Sequence, residues 1–395
     1  MIRAHRIALD PTVEQQVAFA KACSVARFSW NWALAEWKRQ YAAGEKPSAT
    51  KLQKQWNALK EEKFPWVYES PKDANQRPFA NLDKAFSKFF KKTAKYPRFK
   101  KKGKRDSFYA SNDRLRIAEK CVRLPFIGEV NTHEPLRFTG KIMSGVVSRE
   151  AQRWFISIAV EVPELEPLPR IQKTIGIDLG LKTAVVCSDG QTFDAPKPLA
   201  AHLRRLRRRS KEVSRKVRGS NNRWKAVQRL SRLHARIKNI RKDWTHKVTT
   251  KLIRENQAVC FEDLNVRGMT QNRCLSRAIS DIGWFEFRRQ LEYKAVWYGR
   301  QAVAVSRWFP STKTCSRCGV VRDGMQLSER EFVCLACGFT QDRDLNAALN
   351  IHTAGLAEIH ACGPEGSGSE HKLKAKPRRV EAGTKPEGQS HVSTN

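Results

Sequence analysis

Cys315-Ser316-Arg317-Cys318, a gap of 15 residues, Cys334-Leu335-Ala336-Cys337, then Gln341-Asp342-Arg343-Asp344-Leu345-Asn346-Ala347-Ala348-Leu349-Asn350-Ile351: this stretch decides the fold. Two C-x2-C knuckles at that spacing close a tetrahedron of four thiolates (Cys315, Cys318, Cys334, Cys337) around one zinc ion. A disulfide pair or unliganded thiols are the alternatives, and the spacing favours zinc. The run after the second knuckle reads as a helix start with two acids at its mouth. A metal ribbon delivered onto an acidic helix start looks like a device for positioning a catalytic group. The rest of the chain is then expected to supply that group's partners.

Two other acids close predicted strands. Thr174-Ile175-Gly176-Ile177-Asp178-Leu179-Gly180 is an apolar strand ending in a carboxylate between glycines, and Ala258-Val259-Cys260-Phe261-Glu262-Asp263-Leu264 is a short buried strand ending in two acids. Two strand ends and one helix start can meet at one edge of a mixed sheet, as in ribonuclease H-like nucleases. Carboxylates gathered there suit magnesium, or manganese, which keep waters for exchange with substrate. Two such ions roughly 3.5–4 Å apart activate water and stabilise the leaving oxygen in phosphodiester hydrolysis. Asp178, Glu262 and Asp344 are the candidate catalytic, magnesium-binding set. Each alone has a plainer reading. Asp178 also fits the metal–phosphate strand of an actin-like ATPase, although no later Gly-rich phosphate clamp follows. Glu262 could be a strand-end salt bridge, and Asp342 or Asp344 a helix cap.

The charge balance names a polyanionic partner. In 395 residues, 75 Lys and Arg stand against 39 Asp and Glu, a net charge of +36, which would strain a compact fold by self-repulsion without neutralisation. The basic residues are spread along the whole chain, which favours a long nucleic acid over a membrane surface. Met1-Ile2-Arg3-Ala4-His5-Arg6 lacks a signal-peptide core, and no apolar run is long enough to span a bilayer. Six further cysteines (Cys23, Cys121, Cys187, Cys260, Cys274, Cys362) show no pairing pattern, as in a reducing cytosol. The expectation is a soluble, cytoplasmic protein without a membrane partner.

Residues 2–9 read as a strand, with Asp10 or Thr12 as the cap of a helix from Val13 to Tyr41. A second helix spans about Ala49 to Glu61. In a third, Leu82, Ala85, Phe86, Phe89 and Phe90 form an apolar stripe best read as core. Lys95-Tyr96-Pro97-Arg98-Phe99-Lys100-Lys101-Lys102 interleaves bases with aromatics. It is either a solvated linker or a segment that stacks on bases and contacts phosphates. Residues 107–162 alternate with period two and predict a small antiparallel barrel or sandwich, closed by the Pro-rich connector Pro163 to Pro169. Asp189-Gly190 predicts a hairpin turn. From Leu203 to Asn256 a basic helical hairpin breaks near Gly219-Ser220-Asn221. Its second arm carries Leu230, Leu233, Ile237, Ile240, Trp244, Val248 and Leu252 in a near-heptad seam. Its dense Arg and Lys favour phosphate contact over a merely solvated face. A helix from about Ile279 to Tyr298 and a strand from Ala302 to Ser306 precede the ribbon, and residues 362–395 are expected to be disordered.

These motifs together resemble TnpB, the RNA-guided nuclease family of insertion sequences and presumed ancestor of type V CRISPR effectors. The resemblance runs through Ala26-Arg27-Phe28 with Asn31, Tyr96-Pro97-Arg98-Phe99-Lys100, Gly176-Ile177-Asp178, Glu262-Asp263-Leu264, the four cysteines and Asp342 to Asn350. It implies an α/β fold with all-β and helical parts. A wedge-like β-barrel would take residues 1–12 and 100–168, a helical recognition domain 13–99, and a ribonuclease H-like (RuvC) nuclease domain 172–361, with the basic hairpin at 201–256 and the zinc ribbon at 310–341. It implies that Asp178, Glu262 and Asp344 form the RuvC site, choosing Asp344 over Asp342 where the pattern alone does not. It further implies structural zinc, catalytic magnesium, a guide RNA, a double-stranded DNA target beside a short motif, and a monomeric ribonucleoprotein. Candidate nucleic-acid contacts are Arg27, Asn31, Tyr96, Arg98, Phe99, Lys100 and Lys101, with Arg204 and Arg208 on the basic hairpin. Ser24 departs from the Gly frequent in the family and puts the helix packing there in question. A guided DNA-binding regulator or transposition accessory protein is the non-enzymatic alternative, and a guide-free ribonuclease H-like nuclease or resolvase is the third.

Overall fold

A computed structural model describes residues 1–361 except 114, 164, 165 and 327; the expected disordered tail and Cys362 lie outside them. The first half is built on one apolar sheet face with a helical cover. β1 (Ile2–Asp10) leads into α1 (Val13–Ala42), and of the two possible caps it is Thr12 that closes a capping box with Gln15. α2 (Ala49–Lys63), a single 3-10 turn (Pro65–Glu69) and α3 (Lys72–Phe90) follow. β2 (Ser107–Ser111), β3 (Arg116–Ala118), β4 (Cys121–Leu124), β5 (Gly128–Thr132), β6 (Lys141–Glu150) and β7 (Arg153–Glu161) join β1 in a seven-stranded sheet of order β2-β6-β7-β1-β5-β4-β3.

Alternation buries Ile7 and Leu9 of β1 and Trp154, Ile156, Ile158 and Val160 of β7 on one face. Phe19 of α1 packs there against Trp154 (5.0 Å) and Phe108 (5.9 Å). The helices supply the second layer, so no second sheet is needed. Among the described residues no hydrogen-bonded pair joins β2 to β3, and the expected barrel or sandwich is instead an open sheet under helices. The α3 stripe is core at Leu82 and Phe86, but Phe90 is exposed. Ser24 does not disturb α1: its hydroxyl accepts from Arg27 Nη2 at 3.1 Å.

The second half centres on a five-stranded sheet of order β10-β9-β8-β11-β12. β8 (Thr174–Asp178), β11 (Ala258–Glu262) and β12 (Gln301–Val305) run parallel, while β9 (Val185–Cys187) and β10 (Thr192–Phe193) form the antiparallel hairpin that Asp189-Gly190 predicts. Between β10 and β11 stand α4 (Pro198–Ser214), which begins earlier than the sequence indicates, and α5 (Asn221–Glu255). The buried Asp281 carboxylate accepts from the first free N–H groups of α4, Leu199 and Ala200, both at 2.9 Å. Between β11 and β12 lie α6 (Val266–Met269), α7 (Ser276–Ile282) and α8 (Trp284–Tyr298). The continuous helix expected from 279 to 298 is broken at Gly283, whose φ of +80° ends α7 and starts α8.

The α5 seam changes partner midway. Leu233 and Ile237 pack on Leu206 of α4, whereas Val248, Leu252 and Ile253 lie under the sheet with Ile175, Ile177, Val259 and Phe261. The opposite face of the sheet (Gly176, Cys260, Val305) is covered by α9 (Arg343–Ala361). Two glycines permit that close approach. A Cβ on Gly176 would lie 2.3 Å from the Ala348 carbonyl oxygen, and one on Gly355 would lie 2.3 Å from Cys260 Sγ. Among the described residues no helix is long and apolar enough to cross a membrane.

Candidate metal centre and carboxylate corner

The ribbon is two matching knuckles joined by a short ladder of β13 (Glu331–Val333) and β14 (Thr340–Asp342). In the first knuckle Gly319 N donates to Cys315 O (2.9 Å) and Cys315 N to Val320 O (2.9 Å); in the second, Gly338 N donates to Cys334 O (3.0 Å) and Cys334 N to Phe339 O (2.8 Å). Each turn needs a left-handed residue, supplied by Gly319 (φ +76°) and Gly338 (φ +67°). The four Sγ atoms lie within 4.8 Å of one another, with Cys315–Cys337 at 3.8 Å and Cys318–Cys334 at 3.5 Å. Thiolates at about 2.3 Å from a tetrahedral zinc are roughly 3.8 Å apart, so the cluster can hold that ion. Backbone N–H groups of Cys337 and Ala336 lower the Cys334 thiol, whereas burial and the neighbouring thiols push Cys318 up, as expected of sulfurs that share protons until a cation replaces them. A chelator, or Cys334→Ser, is expected to release about one zinc per chain and open residues 312–340 to protease while both large sheets persist. A ribbon equally resistant with no bound zinc would remove the metal from the account.

α9 fixes the ribbon to the sheet. The buried Asn346 donates to Thr314 O (2.8 Å) and accepts from Ser316 N (3.0 Å), and one turn later Asn350 donates to Ser311 O (2.8 Å) and Thr314 O (2.6 Å). These amides sit inside the motif that carries the sequence resemblance, yet pattern alone gives them no role. Their i, i+4 spacing on one helix face was the available signal.

The three acids converge at the carboxyl ends of β8 and β11. Phe261 is the register neighbour of Ile177, so the next residues along, Asp178 and Glu262, leave the sheet side by side. Both follow the alternation onto the α9 face. Asp344 enters from the first turn of α9. Burial raises the Asp178 carboxyl to about 7, and the negative charges of Glu262 and Asp344 add to the rise, opposed by Arg343. Asp344 Oδ1 accepts from Arg343 Nε and Nη2, both at 3.1 Å. Glu262 accepts from the Ser311 hydroxyl.

The two acids of each pair divide their work. Asp342 is exposed, and its Oδ1 accepts from Asp344 N and Leu345 N (both 3.0 Å), which makes it the cap of α9; Asp344 is half-buried and faces the other carboxylates. Asp263 is tied to Arg288 and Arg307 and held below the usual carboxylate range by them despite its burial. Glu262 is left to the corner. Among the described residues only the cysteines bring all their ligand atoms within 4.8 Å. A looser carboxylate set is compatible with two ions about 4 Å apart, whose outer ligands spread further than those of one.

The candidate nucleic-acid contacts fall into two groups. Arg27 pairs with Asp106 at 3.4 Å. Asn31 clamps the Lys100 backbone, donating to its O (3.0 Å) and accepting from its N (2.7 Å). Trp30 Nε1 donates to Arg98 O at 3.0 Å, the Lys100 ammonium lies over the Trp30 ring, and Tyr96 packs edge-on against Phe86 and Phe89. The segment is therefore strapped to α1 and α3, and Arg27 and Asn31 are used within the chain. Arg98, Phe99, Lys101, Arg204 and Arg208 are exposed. Arg205, Arg209, Arg229, Arg232 and Arg236 line a groove between α4 and α5, a basic surface that the sequence places in the hairpin without resolving its residues.

Comparison with known proteins bears on what this arrangement does. A model described as "Probable transposase" (OrfB of IS605) matches residues 157–273, a Cas12f1-like TNB domain matches 284–351, and a helix-turn-helix domain model matches 1–46. The last segment is here a strand and one 30-residue helix. The chain is 37% identical over 402 residues to a Streptomyces pristinaespiralis protein named as a candidate RNA-guided DNA endonuclease, covering 96% of this chain and 98% of that one. It is 32% identical over 400 residues to InsQ of Escherichia coli K12, which carries the same description, with 96% and 98% coverage. It is also 25% identical over 225 residues to the CRISPR-associated endodeoxyribonuclease Cas12f1 of Sulfoacidibacillus thermotolerans, covering 53% and 52%. In fold it is similar to the protein in a cryo-EM structure of a Cas12f1–sgRNA–target DNA complex, with a TM-score of 0.54 and 15% identity over 86% of this chain and 83% of that one.

Proposed function

The chain belongs to the TnpB family of RNA-guided DNA endonucleases, and from that premise we propose that it holds a guide RNA and cuts double-stranded DNA at the corner of Asp178, Glu262 and Asp344. The observation that carries the reading is electrostatic. Burial lifts the Asp178 carboxyl toward neutrality, and the charges of Glu262 and Asp344, brought in from a second strand and a helix far away in sequence, add to the rise. Such a set is unfavourable unless cations occupy it. The strand order β10-β9-β8-β11-β12, with a parallel trio on one side and an antiparallel hairpin on the other, supports a ribonuclease H-like nuclease domain over 172–361. The sheet of the first half and its helices then serve as wedge (1–12 and 100–168) and recognition (13–99) parts.

The three acids would hold magnesium, which supplies an activated water and neutralises charge on the leaving oxygen. The chain's own residues orient the ligands: Ser311 fixes the Glu262 carboxylate, Arg343 fixes that of Asp344, and the register of β8 and β11 places Asp178 beside Glu262. The exposed arginines of the α4–α5 hairpin would take backbone phosphates. Exchange of DNA pairing for RNA–DNA pairing is nearly balanced in energy, so such sequence-independent contacts tip it. A monomeric ribonucleoprotein is the working assembly. The guided regulator that does not cut is disfavoured by the intact, convergent acids.

The test is to purify the protein with its RNA and offer magnesium and a matching target. A discrete RNA should co-elute, and cutting should follow the RNA sequence. Asp344→Asn should abolish cutting, whereas Asp342→Asn keeps a capping oxygen, should cost little stability, and should still cut. Equal loss in the two variants would show that the acids are misassigned.

A further inference from the structure

The loop Ser306–Ser311 leaves β12 at Val305, the register neighbour of Glu262, and returns to donate the Ser311 hydroxyl to that same Glu262. It is pinned along its length. Arg307 is bound to Asp263, Phe309 packs against Cys260, Val305 and Ile351, and Phe309 N donates to Ser306 O at 3.0 Å. Between these anchors Trp308 stands 86% exposed, within three residues of the serine that holds a candidate metal ligand. Among the described residues no ring or cation contact engages this indole, so the pinned loop that anchors Glu262 presents a large apolar ring to solvent.

We propose that Trp308 is a positioning residue: it stacks on an unpaired base of the DNA strand being cut and so sets which phosphodiester enters the carboxylate corner. The inference rests on the nuclease reading above and names the strand state that the site takes. A stacking face is available on every unpaired base and on none within a duplex, so the platform suits single-stranded DNA without regard to sequence. Lys313, two residues past Ser311, is exposed and would be available to a flanking phosphate. Three acids repel a polyanion, so an uncharged stacking contact is the kind of grip that can work beside them.

The experiment uses the guide complex with wild type, Trp308→Ala and Trp308→Tyr, on targets carrying one abasic nucleotide stepped along the cut strand. Trp308→Ala should slow cutting of intact DNA roughly 5- to 100-fold, the scale of one lost stack, with guide retention unchanged. Trp308→Tyr should recover most of the rate. Wild type should slow at one abasic position to which Trp308→Ala is indifferent. Trp308→Ala cutting at the wild-type rate, or sharing the wild-type abasic profile, would overturn the proposal. The same series read as single-strand binding in an Asp178→Asn background separates the two readings. A Trp308-dependent abasic effect on binding without any cutting by the wild type sinks the nuclease alone. Cutting without that effect sinks the stack alone.

Discussion

Asp178→Asn should lower target cleavage by at least about a thousandfold, the scale of several kcal/mol of transition-state charge stabilisation, while guide RNA and target stay bound. The substitution keeps the side chain's shape and removes only its charge, so packing of β8 against α9 is preserved. The same variant should be more stable than wild type in chelator. The Asp178 carboxyl titrates near 7 in the folded protein against 3.8 when unperturbed, chiefly through burial and then through Glu262 and Asp344. Between those values the folded protein keeps a proton that the unfolded chain has released. Wild-type stability therefore falls as pH rises from about 4 to 7, and above 7 the whole penalty, on the order of 2–4 kcal/mol, is present. Melting curves in chelator at pH 5 and 7.5 should show the wild type losing ground to Asp178→Asn at the higher pH. Magnesium should restore it, because an ion that binds only the folded state stabilises that state. Identical pH profiles for the two proteins would mean that burial and the acidic neighbours do not hold the Asp178 proton as described.

Gly176→Ala should be severely damaging for so small a substitution. A Cβ there would sit 2.3 Å from Ala348 O and 2.5 Å from His352 N, both backbone atoms of α9, so no rotamer change relieves the clash. Overpacking typically costs about 1–3 kcal/mol where side chains can adjust, and more is expected where a helix must shift. Asp344 lies one turn before Ala348 on the same helix. Any protein that still folds should therefore bind guide RNA but cut poorly. Ile177→Val, on the opposite face of the same strand, should cost about 1 kcal/mol and leave cutting intact. Thermal unfolding and cleavage rates of the pair, measured together, distinguish a displaced helix from a general loss of stability.

What was legible in the sequence is what local spacing encodes. The cysteine knuckles, the strand closing on Asp178, the strand closing on Glu262 and the Asp189-Gly190 hairpin are each set by residues within a few positions of one another. Choosing Asp344 over Asp342 needed family resemblance. The physical reason, that Asp342 spends its carboxylate on two free N–H groups of α9, appears only with the helix start in place. Ser311, Asn346 and Asn350 escaped notice because their partners are 30 or more residues away or are backbone carbonyls. Arg27 and Asn31 looked like surface contacts because an Arg and an Asn on a helix carry no sign of being used by Asp106 and Lys100. The break at Gly283 was missed since one glycine in a helical pattern is usually tolerated. Period two in residues 107–162 fixes strands and their buried face, but not whether the last strand meets the first.

The divided seam of α5 has a bearing on how the molecule can accept so large a ligand. One continuous helix has its far end packed on α4 at Leu206, Leu233 and Ile237 and tied to the end of β6 by the Lys238–Glu150 ion pair, and its near end locked under the sheet at Val248, Leu252 and Ile253. A long polyanion laid along the outer portion would therefore touch both halves of the molecule at once, because the groove there is lined by Arg6 and Arg153 of the first sheet as well as by Arg232 and Arg236.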